Sequence, residues 1–310
     1  MKILYMGTPD FAVKPLAAII EAGHEVCAVY TQPDKPQGRH FTLTPPPVKV
    51  LALEHNIPVY QPLTFKNNDE EYNTIKGYDP DCIVVAAYGR LLPQRILDIP
   101  RLGCINIHGS LLPKYRGAAP IQWSIINGDE ETGVTTMYMA KELDAGDMLD
   151  QATTSTAGKT AGQLHDELSE IGADLILKTL EKLENGTSVR VPQDTELVTY
   201  APMINRDMGE VSFAQTARQV DCRVRGLSPW PGAFTWFNGK KVKIRSSAVV
   251  EGFHGKEGCL LDDRRLIIGC ADRTAIELLE VVPEGSKPQT GAQFLVGRRC
   301  AVGTFFGKEE

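Results

Sequence analysis

The chain has 310 residues, of which 42% are apolar and 23% charged; this excludes a disordered or fibrous protein and allows two cores. Its net charge of −6 hides an asymmetry, because residues 1–205 carry 17 basic against 26 acidic side chains while residues 206–310 carry 16 against 13. A mildly basic carboxy-terminal part of an acidic protein can face a polyanion. The cysteines (Cys27, Cys82, Cys104, Cys222, Cys259, Cys270 and Cys300) are odd in number and none stands in C-x-x-C spacing. They read as reduced, buried thiols, and the scattered histidines give a metal site no support.

The amino terminus MKILYMGTPDF breaks its apolar run at Gly7-Thr8-Pro9-Asp10, too early for a signal-peptide core. No later run approaches the roughly 20 apolar residues that span a membrane. The chain therefore reads as soluble, cytoplasmic and without membrane contact.

Strand-like and helix-like segments alternate through the first half. KILYM (2–6) and EVCAVY (25–30) have strand character, with a helix expected over 11–22 between them. TQPDKPQGRHFTLTPPP (31–47) is rich in proline and lacks a period, so it reads as a long loop, which in a compact domain is usually functional. A helix near 48–56, a short strand at Val59-Tyr60 and a polar helical stretch lead to CIVVAAY (82–88), the most apolar strand of the chain. GCINIHG (103–109) is the next strand, APIQWSIING (119–128) a helix, and TGVTTMYM (132–139) a strand. Apolar residues at Leu164, Leu168, Ile171, Leu175, Ile176, Leu180 and Leu183 mark one amphipathic helix over 160–185.

Apolar strands separated by helices imply a doubly wound α/β domain with a mostly parallel, Rossmann-like sheet, here over residues 1–189. Residues 190–205 read as a linker within a stretch, 188–210, that has no period. After a helix near 212–225, residues 206–310 hold short β-rich runs at 233–237, 241–250, 258–261, 266–270 and 275–282. Turn signals at Asn238-Gly239 and Asp262-Asp263 separate them, and a small OB-like barrel suits this pattern.

The glycine after the first strand stands alone, and Pro9 removes a backbone donor, so the turn at 7–11 does not read as a dinucleotide site. Asn106-Ile107-His108 has more to say. Residues i and i+2 of a strand share a face, so Asn106 and His108 are co-facial at the carboxyl end of a buried strand, where open α/β sheets bind ligands. An asparagine amide can donate to a developing oxyanion, and a histidine can carry a proton. A carboxylate to orient that histidine is available in LDAGDM (143–148), where Asp144 is the best candidate and Asp147 its competitor.

CINIHGSLLPKYRGAAP (104–120) together with LDAGDM resembles the folate-dependent formyltransferase superfamily. Further likeness comes from GTPDFA, TQPDKPQGR (31–39), PPVKVLA (46–52), VVAAYGRLLP (84–93), RGAAPIQW (116–123), LVTYAP (197–202) and SPWPGAF (228–234). Within the superfamily these point to the members that act on initiator methionyl-tRNA, and they cover nearly the whole chain. The resemblance implies that Asn106, His108 and Asp144 are catalytic. It implies that Ser110, Leu111, Leu112 and Pro113 line the folate site, with Ala86, Ala87, Tyr88, Gly89 and Leu91 as an apolar wall around the pterin. Arg39 would reach the acceptor end of the tRNA, and the carboxy-terminal barrel would dock on its body. The formyl donor would be 10-formyltetrahydrofolate, with no metal, and the protein would act as a monomer. HFTLTPPP after Arg39, and Met203 after YAP, stand where lysines are common in such proteins.

Three other readings are weaker. A superfamily enzyme for a nucleotide-sugar amine or a purine precursor, or one hydrolysing formyl-folate, would lack the SPWPGAF-type second domain. A non-catalytic RNA-binding protein leaves the co-facial Asn106 and His108 without a purpose. An NAD-dependent oxidoreductase fails at Gly7-Thr8-Pro9-Asp10.

Overall fold

Apolar strands joined by helical crossovers pair in parallel because the returning helix must cover the sheet. The computed structural model describes residues 1–37 and 41–308. Five strands follow this rule: β1 (Lys2–Gly7) and β2 (Glu25–Tyr30), then, after the short β3 (Lys35–Gln37) and β4 (Thr42–Thr44), β5 (Val59–Tyr60), β6 (Cys82–Ala86) and β7 (Cys104–His108). After the two-residue β8 (Arg116–Gly117) come β9 (Glu131–Tyr138) and β10 (Met148–Ser155). The main sheet runs β10-β9-β7-β6-β1-β2-β5, parallel from β5 to β7 and turned antiparallel by β9. The chain first builds outward from β1 to β5, then crosses back to β6. The strand order therefore switches between β1 and β6, where open α/β sheets leave a crevice at the carboxyl ends.

The helices are α1 (Val13–Glu21), α2 (Pro47–Glu54), α3 (Asp69–Tyr78), α4 (Gln94–Leu97), α5 (Pro120–Ile126) and the long α6 (Ala161–Glu184). On one face of the sheet Leu4, Met6, Ile83, Val85 and Cys104 pack with Ile75 of α3 and with Ile96 and Leu97 of α4. On the other, α6 buries Leu168, Leu175, Ile176, Leu180 and Leu183, as its periodicity predicts, while Ile171 is half-buried; Leu164, at the start of the helix, is buried as well. Gly172 lets α6 lie on the strands, since a Cβ there would stand 3.1 Å from the Ile107 side chain.

Three local expectations change. The stretch 31–47 is not structureless: β3 and β4 form a ribbon with Lys35 opposite Thr44, and a two-stranded ribbon has free edges where Pro36 costs no ladder bond. Lys49 of α2 and Gln61 tie its base down through the Asp34 carboxylate, at 2.8 and 2.7 Å. The strand β10 has no apolar alternation strong enough to mark it, because it lies at the sheet edge and every second residue of its later half is exposed. The segment 188–210, aperiodic in sequence, is hydrogen-bonded to the first half: Val191 bridges Met148, and β11 (Tyr200–Ala201) pairs with β8.

The described residues form two units, and the second takes 121–131 and 155–164 as well as the chain from Pro202 onward. It contains α7 (Ala217–Gly226), β12 (Ala233–Phe237), β13 (Lys240–Val250), β14 (Ile267–Gly269), β15 (Ala275–Pro283), β16 (Gln289–Thr290) and α8 (Gly291–Arg298). The pairing is antiparallel along β12-β13-β15-β14, with β16 beside β15, and it does not return on itself among the described residues. Asn238 and Gly239 join β12 to β13 with φ of +48° and +71°, the twisted two-residue hairpin that this dipeptide favours. The run 258–261 makes only single bridges, Cys259 to Phe305 and Leu260 to Ile268. β16 and α8 have no counterpart in the sequence reading. The core of this unit gathers Val220, Val224, Val242, Ile244, Leu260, Ile276, Leu278, Phe294 and Phe306.

Every cysteine is free, and Cys259 and Cys300 are only partly buried where burial was expected. Desolvation pushes the Cys27 thiol up to about 11 and the Cys82 and Cys270 thiols up to about 12, so these are poor nucleophiles at neutral pH. No described helix is long and apolar enough to cross a membrane, and no described group of His, Cys, Asp and Glu could hold a metal ion.

Asp81 joins the starts of β1 and β6, accepting from Lys2 N at 2.8 Å and from Arg101 Nε at 2.7 Å. These bonds hold its carboxyl below the ordinary value of 3.8, the backbone donor contributing most. A carboxyl lowered on folding stabilises the fold above its unfolded value and ceases to do so as pH falls through its folded one. Asp81→Asn should therefore lower stability at neutral pH, and its difference from the wild type should vanish in acid. Urea unfolding across a pH series measures this; a pH-independent difference would refute it.

Candidate active site

β7 brings Cys104, Asn106 and His108 to one face, with Ile105 and Ile107 turned to the other. Cys104 is sealed beneath α4, where its Sγ lies 3.8 Å from the Leu97 carbonyl. Asn106 is half-buried, and its side-chain amide has no hydrogen-bond partner among the described residues. An amide that could bond but does not, at the end of a buried strand, is available to a ligand.

His108 is 6% exposed, and its Nε2 lies 2.9 Å from the Tyr115 carbonyl. A carbonyl oxygen can only accept, so Nε2 carries the hydrogen and Nδ1 is the open proton position. Nδ1 stands 3.8 Å from Asp144 Oδ2, too far for a hydrogen bond and close enough for charge pairing when the imidazole is protonated. Of the two carboxylates in LDAGDM, Asp144 is the one beside His108; Asp147 contributes its backbone carbonyl to Tyr138 N at 2.9 Å.

Asp144 is held from several sides. Its Oδ2 accepts from Gly117 N at 2.9 Å, and its own φ is +51°, a left-handed value that costs a non-glycine residue about 1–3 kcal/mol. The Gln193 amide donates to the carbonyls of Asp144 and Gly146, both at 2.8 Å. The Gln193 oxygen in turn accepts from Arg116 Nε at 2.9 Å and Nη2 at 2.7 Å. Gly146 must be glycine here, since a Cβ would collide with the Tyr138 carbonyl.

The loop after β7 is fixed by one threonine. Thr135 Oγ1 donates to the Ser110 carbonyl at 2.7 Å and accepts from Leu112 N at 3.1 Å and Gln151 Nε2 at 3.0 Å. Ser110 spends its hydroxyl on the Lys114 carbonyl at 2.7 Å. Leu112 is buried, while Leu111 and Pro113 are partly exposed. Tyr115 takes a φ of +64°, and its N–H donates to Thr199 Oγ1 at 2.9 Å.

At the switch point, Thr8 Oγ1 and Gln32 Nε2 both donate to the Tyr88 carbonyl, at 3.1 and 3.0 Å, locking the turn after β6 to the ends of β1 and β2. Ala86 is fully buried; Ala87, Gly89 and Leu91 are exposed, Leu91 by 77%. The Tyr88 ring packs into the core near Phe65, 6.1 Å between centroids, so it does not line an open wall in this arrangement. Gly7 is closely packed, since a Cβ there would stand 2.7 Å from that of Ala12. Arg39 lies outside the described residues.

Sequence reading missed Gln193, Arg116, Thr135, Gln151 and Thr199. No local signal marks Gln193: its partners lie 77, 49 and 47 positions away, and its own segment has no period. Thr135→Val should destabilise the protein by roughly 2–3 kcal/mol, because it leaves a buried carbonyl and a buried N–H unsatisfied without changing volume. Denaturant unfolding, with amide exchange at Leu112, checks this; a change below about 0.5 kcal/mol would argue against the bonding described.

Residues 1–180 match the family described as formyl transferase, and residues 203–299 match the formyl transferase C-terminal domain. A methionyl-tRNA formyltransferase from Caldanaerobacter subterraneus subsp. tengcongensis is 45% identical, over 98% of this chain and 99% of its own. One from Geobacter sulfurreducens is 47% identical, over 99% of this chain and 97% of its own. Among solved structures, HypX from Aquifex aeolicus in complex with tetrahydrofolic acid aligns with a TM-score of 0.63 at 21% identity, over 95% of this chain; the chain spans about half of HypX, 47%. An N-formyltransferase from Helicobacter canadensis in complex with folinic acid and dTDP-3-aminofucose aligns with a TM-score of 0.69 at 20% identity, over 90% of this chain and 98% of its own. At such identities the likeness speaks for the fold alone.

Proposed function

The chain belongs to the methionyl-tRNA formyltransferase family, and from that premise we infer that it transfers the formyl group of 10-formyltetrahydrofolate to the α-amino group of initiator methionyl-tRNA for translation initiation. The observation that carries the assignment to residues is the Asn106 amide, without a hydrogen-bond partner among the described residues, beside a histidine whose proton position is set by a carbonyl.

The folate supplies a formyl group activated on a ring-side nitrogen. Asn106 donates its free amide hydrogens to the formyl oxygen as the neutral amine adds to the carbon and negative charge grows there. His108 takes the proton that the amine sheds at Nδ1, where Asp144 balances the imidazolium, and returns it to the departing folate nitrogen. The carbon–nitrogen bond to the amino acid forms, the one to folate breaks, and one proton passes between them. Ser110, Leu111, Leu112 and Pro113 line the folate site. Ala86, Ala87, Tyr88, Gly89 and Leu91 make the apolar wall for the pterin, Ala87, Gly89 and Leu91 as its exposed surface, with Ala86 and the Tyr88 backbone supporting it from beneath.

The reacting residues lie within 1–189, and 190–205, which also supplies Gln193 and Thr199 to the site, leads to an OB-like tRNA-docking domain at 206–310. Arg39 meets the acceptor end of the tRNA. The protein acts as a monomer in the cytoplasm. On β13 the alternation places Lys241, Lys243 and Arg245 on the side opposite the buried Val242 and Ile244, a row suited to phosphates.

Asn106→Ala and His108→Ala should fold normally and lose roughly two to three powers of ten in kcat while retaining folate affinity. Formylation of charged initiator tRNA and folate titration read the two effects; turnover within a few-fold of the wild type would exclude the assignment. Affinity for tRNA should fall steeply with salt, and Lys243→Glu should raise KM for tRNA and reduce the salt slope by about 1. An unchanged slope would remove this row from the tRNA interface.

A further inference from the structure

Gln193 uses every hydrogen-bonding position its amide has. Two hydrogens go to the carbonyls of Asp144 and Gly146, and two lone pairs to the Arg116 guanidinium. A guanidinium can only donate, so the amide cannot flip: its oxygen must face Arg116 and its NH2 the loop. Arg116 is 9% exposed, and the main chain beside it is fixed by Arg116 N donating to the Thr199 carbonyl at 2.9 Å. The next residue, Gly117, donates its N–H to the Asp144 carboxylate, and a Cβ on Gly117 would stand 2.7 Å from the Ala201 carbonyl. Asp144 is thus gripped by the Arg116-Gly117 pair twice, directly at its side chain and through Gln193 at its carbonyl.

We propose that Gln193 is a positioning residue for the transfer reaction: it holds the loop 143–147 in the strained turn that keeps the Asp144 carboxylate at His108. Asp144 adopts a left-handed φ of +51°, a conformation that Asp tolerates better than most residues but that still has to be held against relaxation of the turn. Gln193 imposes it by binding the carbonyls on either side of Ala145, which sets the width of the turn. Without those donors the turn relaxes, and the carboxylate moves from a place where a displacement of about 1 Å costs roughly a hundredfold in rate. The proposal rests on the reading of Asn106, His108 and Asp144 as the catalytic set.

The test uses the full chain, 10-formyltetrahydrofolate and charged initiator methionyl-tRNA. Gln193→Leu removes both donors. Gln193→Glu keeps the volume and the Arg116 partner but sets carboxylate oxygen against the two loop carbonyls. Both should lower kcat roughly ten- to a hundredfold, with KM for both substrates within about threefold of the wild type. In an Asp144→Asn background the same changes should cost less than about threefold, because their effect passes through Asp144. Gln193→Glu guards against mere loss of stability, and thermal unfolding should show it folded. Wild-type kcat in either variant would overturn the proposal, as would equal losses in both backgrounds. If Asp144→Asn alone is fully active, the site reading fails and the proposal with it, an outcome distinct from an active Gln193 variant beside an inactive Asp144→Asn.

Discussion

The hydrogen bond from His108 Nε2 to the Tyr115 carbonyl decides which ring nitrogen faces Asp144, and the rest of the site is arranged around that choice. An imidazole only 6% exposed needs a partner for its polar edge, and a backbone carbonyl is a partner that cannot titrate. Tyr115, whose carbonyl meets the ring, takes a positive φ and is tied by its N–H bond to Thr199. Thr199 comes from the aperiodic segment of the chain. A residue far along the sequence thereby helps to fix the tautomer of a histidine at a strand end.

The same segment supplies Gln193, the Val191 bridge and β11, so its lack of pattern reflects its work. Periodicity arises where one face of an element meets a core. A strip that crosses the ends of a sheet and satisfies loop carbonyls through individual side chains has no repeating face. Its ordering follows from the polar groups it completes: two carbonyls of a tight turn, a guanidinium and the N–H of a left-handed residue. Each would cost about 1–3 kcal/mol if buried without a partner.

The chemistry open to the site is narrowed by what surrounds it. The cysteine on the face of Asn106 and His108 is Cys104, and burial raises its thiol well above the ordinary range, so it offers no thiolate. What remains is an amide donor, a proton carrier and a carboxylate at the carboxyl edge of a parallel sheet, a set fitted to stabilising charge on an acyl oxygen while a proton moves.

The sequence alone determined the elements with a strong period or a strong turn: the apolar strands from KILYM to GCINIHG, the long helix under the sheet and the Asn238-Gly239 hairpin. It also placed Asn106 and His108 on one face, because a strand's alternation is local geometry, and its motifs pointed to the family. It could not find β10, whose edge position removes the apolar alternation, or the ribbon at 35–44, whose pairing does not depend on burial. Between Asp144 and Asp147 the motif resemblance already chose Asp144, while its distance from His108 belongs to the tertiary structure. So does Gln193, whose role consists wholly of contacts with residues 47 to 77 positions away. Hydrogen bonds of that kind are made by single side chains meeting single backbone groups, and they leave no pattern in a sequence until the chain has folded.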